Sequence, residues 1–157
     1  MKKEEKTNVM RLLDGMKISY ESHSYKPDAS MSGEEIAGIL GEDPRKVFKT
    51  LVTQGKSGEH FVFVVPVVEE LDLKKAAKAC GEKAVSMIKQ KELLPLTGYV
   101  HGGCSPIGMK KQFLTFIHET AAGFDTVFVS AGKVGFQIEL SLQDLISAAS
   151  CRVADIV

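Results

Sequence analysis

The sequence predicts an α+β domain: a mixed, largely antiparallel sheet flanked by helices. Three observations predict it. Apolar residues recur at helical spacing near the start, the middle and the end of the chain. Between them lie short runs of alternating or continuous apolar character. Brief turns join these runs, without the regular strand–helix alternation of a parallel α/β sheet. The chain has 157 residues, close to the roughly 150 of one domain, so one domain over 1–157 is expected. Its 44% hydrophobic content is enough for a core.

Each element has a local reason. Val9, Leu12, Leu13 and Met16 stand at i, i+3, i+4 and i+7 on a first helix, which Thr7 caps and Gly15 ends. Ile18 to His23 alternates like a strand. Ser32 and Glu35 have the spacing of a capping box, with Ile36, Ile39 and Leu40 as the buried stripe and Gly41 as the stop. After Asp43-Pro44, Val47 to Val52 reads as a strand, and His60 to Val65 as its hairpin partner buried on both faces. Asp72 caps a short helix that Gly81 closes. Tyr99-Val100-His101 is expected to be a strand ending at Gly102-Gly103. Thr115–His118, Thr126–Val129 and Phe136–Leu140 are three more, and Ser141 opens a final helix carrying Leu142, Leu145, Ile146 and Ala149.

Composition narrows the function. Twenty Lys+Arg balance twenty Asp+Glu, which excludes the strong basic excess of a free-standing nucleic-acid binder. A nucleic-acid substrate must be met by a local patch or with a partner's help. Cys80, Cys104 and Cys151 are scattered and odd in number, so no disulfide framework or zinc spacing is indicated, and a reducing, cytoplasmic setting is expected. No apolar leader core and no run near the ~18 residues of a membrane span is present.

Several residues can carry chemistry. Lys49 lies inside an apolar strand, on the face of Val47 and Leu51. It is either an edge lysine whose stem packs while its ammonium reaches water, or a fixed cation at a pocket mouth holding a phosphate or a developing oxyanion. Gly102-Gly103-Cys104-Ser105-Pro106-Ile107-Gly108 is either a plain turn or a loop whose N–H groups point at an anion. It is not a Walker A loop, because Met109-Lys110 stand where Lys-Ser/Thr is required. Ser130 closes a strand where its hydroxyl can reach a ligand or bond local backbone. Tyr20 and Tyr25 offer phenols. Cys104 is a candidate nucleophile only with a neighbouring base, for which His101 and His118 are available; otherwise it is an inert buried thiol. His23, His60 and His118 read as packing or surface residues. No HExxH and no H-x-E with C-x-x-C occurs, so zinc hydrolysis has no support.

Taken in order, a set of segments resembles the YbaK/EbsC family of stand-alone aminoacyl-tRNA deacylases, relatives of the editing domain of bacterial prolyl-tRNA synthetases. They are Lys17-Ile18-Ser19-Tyr20, Val47-Phe48-Lys49-Thr50-Leu51, Leu71-Asp72-Leu73-Lys74-Lys75-Ala76-Ala77-Lys78-Ala79, Thr97-Gly98-Tyr99, Gly102-Gly103-x-Ser105-Pro106-x-Gly108-x-Lys110-Lys111, Val129-Ser130-x-Gly132-Lys133-x-Gly135 and Ala154-Asp155-Ile156. The resemblance implies a curved sheet and hydrolytic removal of cysteine from mischarged tRNA(Pro), with Cys-tRNA(Cys) as a further substrate. Proline and cysteine are similar in size, so a synthetase pocket cannot separate them by binding alone.

By the same resemblance Lys49 is the essential residue, holding the terminal adenosine's phosphate or the ester. Thr50 lies beside it, Gly102 and Gly103 offer N–H groups to the aminoacyl carbonyl, and Tyr20 and Ser130 line the pocket. The substrate's own thiol is the nucleophile, no metal or other cofactor is used, and prolyl-tRNA synthetase is the expected partner. Cys104 and His101 depart from the family's usual aliphatic and apolar residues, which keeps an enzyme-thiol mechanism in view. The alternatives are an Ala-tRNA(Pro) deacylase and a non-catalytic module that binds tRNA ends or a synthetase.

Overall fold

Short-range chemistry sets most helix starts where the sequence indicates. The computed structural model describes residues 6–26 and 31–157. The Thr7 side chain accepts from Met10 N–H at the head of α1 (Asn8–Gly15). Ser32 and Glu35 close a reciprocal capping box on α2 (Gly33–Leu40). Asp72 accepts from two N–H groups of α3 (Leu73–Cys80) and Ser141 from one of α5 (Leu142–Ala149). The first helix ends at Gly15 as expected, but the left-handed residue that follows is Lys17, at φ 59°, and Ile18 N–H bonds back to Leu13 O.

The strands are β1 (Glu21–Ser24), β2 (Phe48–Gly55), β3 (His60–Pro66), β4 (Val85–Met87), β5 (Leu114–His118), β6 (Val127–Ser130), β7 (Phe136–Leu140) and β8 (Cys151–Ala154). They form two sheets rather than one. A three-stranded antiparallel sheet has the order β1-β7-β6, and a five-stranded mixed sheet the order β4-β2-β3-β5-β8. In the larger sheet β2 runs antiparallel to β3 and β4, while β5 lies parallel to β3 and β8. A single parallel bridge, Val47 to Phe128, links the two sheets. Pairing is thus mixed and largely antiparallel, as expected of an α+β fold.

β3 is buried on both faces for a visible reason. Val62 and Val64 pack with α1, α5 and the small sheet, while Phe61, Phe63 and Val65 pack under α3 and around Phe116 and Ile156. A strand covered on both sides has no polar face to alternate with.

Three local expectations fail. Tyr99–His101 is not a strand. It follows α4 (Gln90–Thr97), which the internal Pro95 hides from a sequence reading because proline removes a helical N–H. The segment's backbone bonds go to Thr97 Oγ1 and to Gly103 N–H rather than to a partner strand. Ile39 is 63% exposed, because α2 rests on the fully buried Ala37 against Val47 and Phe128. The expected strand from Ile18 begins only at Glu21. No helix among the described residues is long and apolar enough to cross a membrane.

The exposed face of α2 allows a stability test. Gly38 sits in the helix interior, and an added Cβ meets nothing within 4 Å. Gly38→Ala is expected to stabilise the fold by roughly 0.5–1 kcal/mol, raising Tm by about 1–4 °C. An unchanged or lowered melting temperature contradicts the helical placement.

Candidate active site

Among the described residues the two sheets pair only at the Val47–Phe128 bridge, and both of its flanking strands contribute to the cleft. β4 pairs only with Thr53, Gln54 and Gly55 of β2, which leaves the first half of β2 with an open edge. Counting two residues on from the bridge along each parallel strand brings Lys49 level with Ser130. Both line a cavity of about 260 Å³, walled also by Thr50, Gly102, Cys104 and Gln137. The head of α2, at Ser32 and Gly33, closes one side. This is near the small end of ligand pockets, roughly 300–1,000 Å³, and suits one small side chain with its ester linkage.

Lys49 is half-buried, and its ammonium makes no ion pair or hydrogen bond among the described residues. Among the described residues that line the cavity it is the one lysine or arginine, and none is a carboxylate. The neighbouring Thr50 Oγ1 is buried without a hydrogen-bond partner among the described residues. Buried polar atoms are nearly always paired, so this orphan oxygen on a residue that lines the cavity is an exception. Ser130 Oγ accepts from Gly132 N–H at 3.2 Å, which aims the hydroxyl and leaves its proton available.

The loop departs from expectation at one glycine. Gly102 has φ +85°, a backbone that only glycine adopts at little cost, and its N–H bonds to no described residue. Gly103 N–H instead donates to Val100 O at 3.0 Å, closing the turn. Gly103 is therefore a packing glycine: an added Cβ would stand 3.0 Å from Val134 N. One amide, not two, is free to meet a carbonyl oxygen.

Tyr20 does not line the cavity. It packs beside the main core, and its hydroxyl donates to Met10 O at 3.5 Å. Tyr25, just beyond β1, lines the wall instead.

Cys104 does line it, but burial pushes its thiol up to about 12, with a Thr97 hydrogen bond opposing weakly. It is a neutral thiol at physiological pH, and no histidine bonds it among the described residues. His101 lines the cleft and is exposed. His118 is remote: its Nδ1 accepts from Ile156 N–H at 3.2 Å. Gln137, buried in the wall, has no local signal in the sequence; only its register opposite Ser130 brings it to the site.

Comparison with known proteins places the chain in a family. Residues 27–148 match the family described as the aminoacyl-tRNA editing domain. The chain is 44% identical over 156 residues to EbsC of Enterococcus faecalis, named as a proposed Cys-tRNA(Pro)/Cys-tRNA(Cys) deacylase, covering 99% of this chain and 95% of that one. It is 28% identical over 86 residues to the proline–tRNA ligase of Fervidobacterium nodosum, covering 55% of this chain and 15% of the ligase. A crystal structure of a proposed trans-editing enzyme for prolyl tRNA synthetase has the same fold, with TM-score 0.81 at 22% identity, covering 96% of this chain and 97% of that one. Matched across most of its length by the family and nearly end to end by EbsC, the chain belongs to the aminoacyl-tRNA editing domain family.

Proposed function

We propose that the chain is an aminoacyl-tRNA deacylase that clears cysteine from mischarged tRNA(Pro), acting on the terminal ester in the cleft at Lys49. The observation that carries this is the pairing of an unpartnered ammonium with an orphan hydroxyl, Lys49 and Thr50, on an open strand edge. Lys49 meets the adenosine phosphate or the ester oxygen on which charge develops, and Gly102 N–H supports that oxygen. Thr50 and Ser130 hydrogen-bond the sugar or ester.

No protein nucleophile is needed. The substrate's sulfur attacks its own carbonyl carbon, the C–O bond to the ribose breaks, and the leaving 3′ oxygen takes up the proton the thiol gave. The resulting thiolactone is opened by water to free cysteine. Holding thiol and carbonyl together supplies much of the rate, since oriented intramolecular attack reaches effective molarities of order 10⁵–10⁸ M. The name of EbsC and the stretch shared with a proline–tRNA ligase support tRNA(Pro) as substrate and prolyl-tRNA synthetase as partner. The balanced charge of the chain fits weak, salt-sensitive binding to tRNA alone.

The test is deacylation of Cys-, Ala- and Ser-tRNA(Pro) by the wild type and Cys104→Ser. Cys-tRNA(Pro) should be cleaved, the alanyl and seryl esters poorly, and Cys104→Ser should keep most activity. Preferred cleavage of Ala-tRNA(Pro) would assign the alanine specificity instead, and binding without turnover a non-catalytic role. An acyl-Cys104 adduct in mass spectra would overturn the substrate-assisted scheme.

A further inference from the structure

An aminoacyl ester carries an α-ammonium as well as a carbonyl, and a site that reads it needs an acceptor. The described lining of the cleft contains no carboxylate. A carboxylate stands directly behind its wall. Gln137, 6% exposed, lines the cavity beside its register partner Ser130. With its amide oriented from the hydrogen-bond network, Gln137 Nε2 donates to Glu42 Oε1 at 2.9 Å and Oε2 at 3.1 Å. The amide oxygen is then the end left to accept.

Glu42 is held where this requires. It follows Gly41, the left-handed cap of α2, and its N–H donates to Ala37 O at 2.8 Å. The other end of α2 forms part of the cleft. The charged groups facing Glu42 are His23 from β1, Glu139 from β7 and Lys46 from the Pro44–Lys46 turn. Of these, His23 Nε2 pairs with Glu139 Oε1 at 3.0 Å, and Glu139 also accepts from the Thr126 hydroxyl. Lys46 lies 5.6 Å from the Phe128 ring centroid. Burial pushes the Glu42 carboxyl up to about 7, Glu139 adding to the effect while His23 and Lys46 oppose it. A cation arriving one amide away favours the ionised form, so binding and ionisation reinforce each other.

We propose that Glu42 is a positioning residue: it holds the Gln137 amide so that Oε1 faces the cleft and accepts a hydrogen bond from the α-ammonium of the aminoacyl group. This rests on the deacylase reading. A glutamine at 42 offers both a donor and an acceptor, so the amide at 137 loses its preferred orientation and the site loses the charge behind it. The double change Glu42→Gln with Gln137→Glu moves the carboxylate to the wall and the amide behind it.

The experiment compares the full chain acting on Cys-tRNA(Pro) and on 3-mercaptopropionyl-tRNA(Pro), which keeps the thiol and lacks the amine. Glu42→Gln should cut the wild-type preference for the amine-bearing ester about tenfold, the scale of one charge-assisted hydrogen bond, through a raised KM. The double variant should restore the preference. Equal losses on both esters, or an unchanged preference in Glu42→Gln, would make the pair a mere brace of α2 on β7 and overturn the inference while leaving the deacylase reading intact. If Glu42→Gln melts early, the double variant decides: a preference that stays lost overturns it. Absence of wild-type turnover on Cys-tRNA(Pro) removes the deacylase reading first, and this inference with it.

Discussion

Lys49→Ala is expected to lower kcat/KM for Cys-tRNA(Pro) by ~10²–10³, the usual cost of one oxyanion-stabilising donor. The reason is electrostatic. Lys49 is the one lysine or arginine among the described residues lining the cleft, so it is the fixed cation there that can balance the charge of a phosphate or a developing oxyanion. Folding should barely respond. The ammonium has no partner among the described residues, so truncation removes only the packing of a half-buried stem, about 1 kcal/mol or less. Lys49→Met separates the two contributions by keeping the stem, and it should melt like the wild type while remaining inactive. Arginine should rescue poorly, since a planar guanidinium does not occupy the place of a compact ammonium. Melting followed by circular dichroism, with turnover measured on the same samples, checks this. A folded Lys49→Ala with near-normal turnover would falsify the assignment.

Gly103→Ala should be nearly as damaging by a different route. Its Cβ would stand 3.0 Å from Val134 N and 3.3 Å from Lys133 C, both backbone atoms that no rotamer change can move. The loop carrying Gly102 and Cys104 must then separate from the one that follows Ser130. A shift near 1 Å in groups that orient a substrate costs ~10²-fold in rate, and the strain costs roughly 1–3 kcal/mol of stability. Gly102→Ala is the instructive companion. There the added Cβ meets only Val134 Cγ2, at 3.7 Å, so its cost comes from the positive φ and the displaced N–H rather than from a clash. Full activity in Gly103→Ala would show that the two loops do not support each other.

Much of the lining of the candidate site is legible in the sequence, though unevenly. Lys49 stood out as a lone cation in an apolar strand, and Gly102 and Ser130 as strand-end and loop residues; the ordered resemblance to a deacylase family gathered them with Thr50. Proximity of the four lining residues Lys49, Thr50, Gly102 and Ser130 is what the fold supplies. The resemblance puts Tyr20 in the pocket, but it packs against the edge of the core, while Tyr25, five residues on, lines the wall. The two are near neighbours in sequence, and only the placement of β1 against β7 separates their roles.

The sequence by itself determined whatever depends on contacts a few residues long. Thr7, Ser32, Asp72 and Ser141 cap helices because each side chain reaches an N–H two or three residues on. The β2–β3 hairpin follows from two apolar runs and a glycine-bearing turn. Tertiary structure alone decided the split into two sheets, the parallel addition of β8 to β5, and the meeting of Glu42 with Gln137. The sheet split, the β8 pairing and the Glu42–Gln137 contact join residues far apart along the chain. Such contacts are set by where whole strands and loops come to rest, and no nearby residue carries a signal for them.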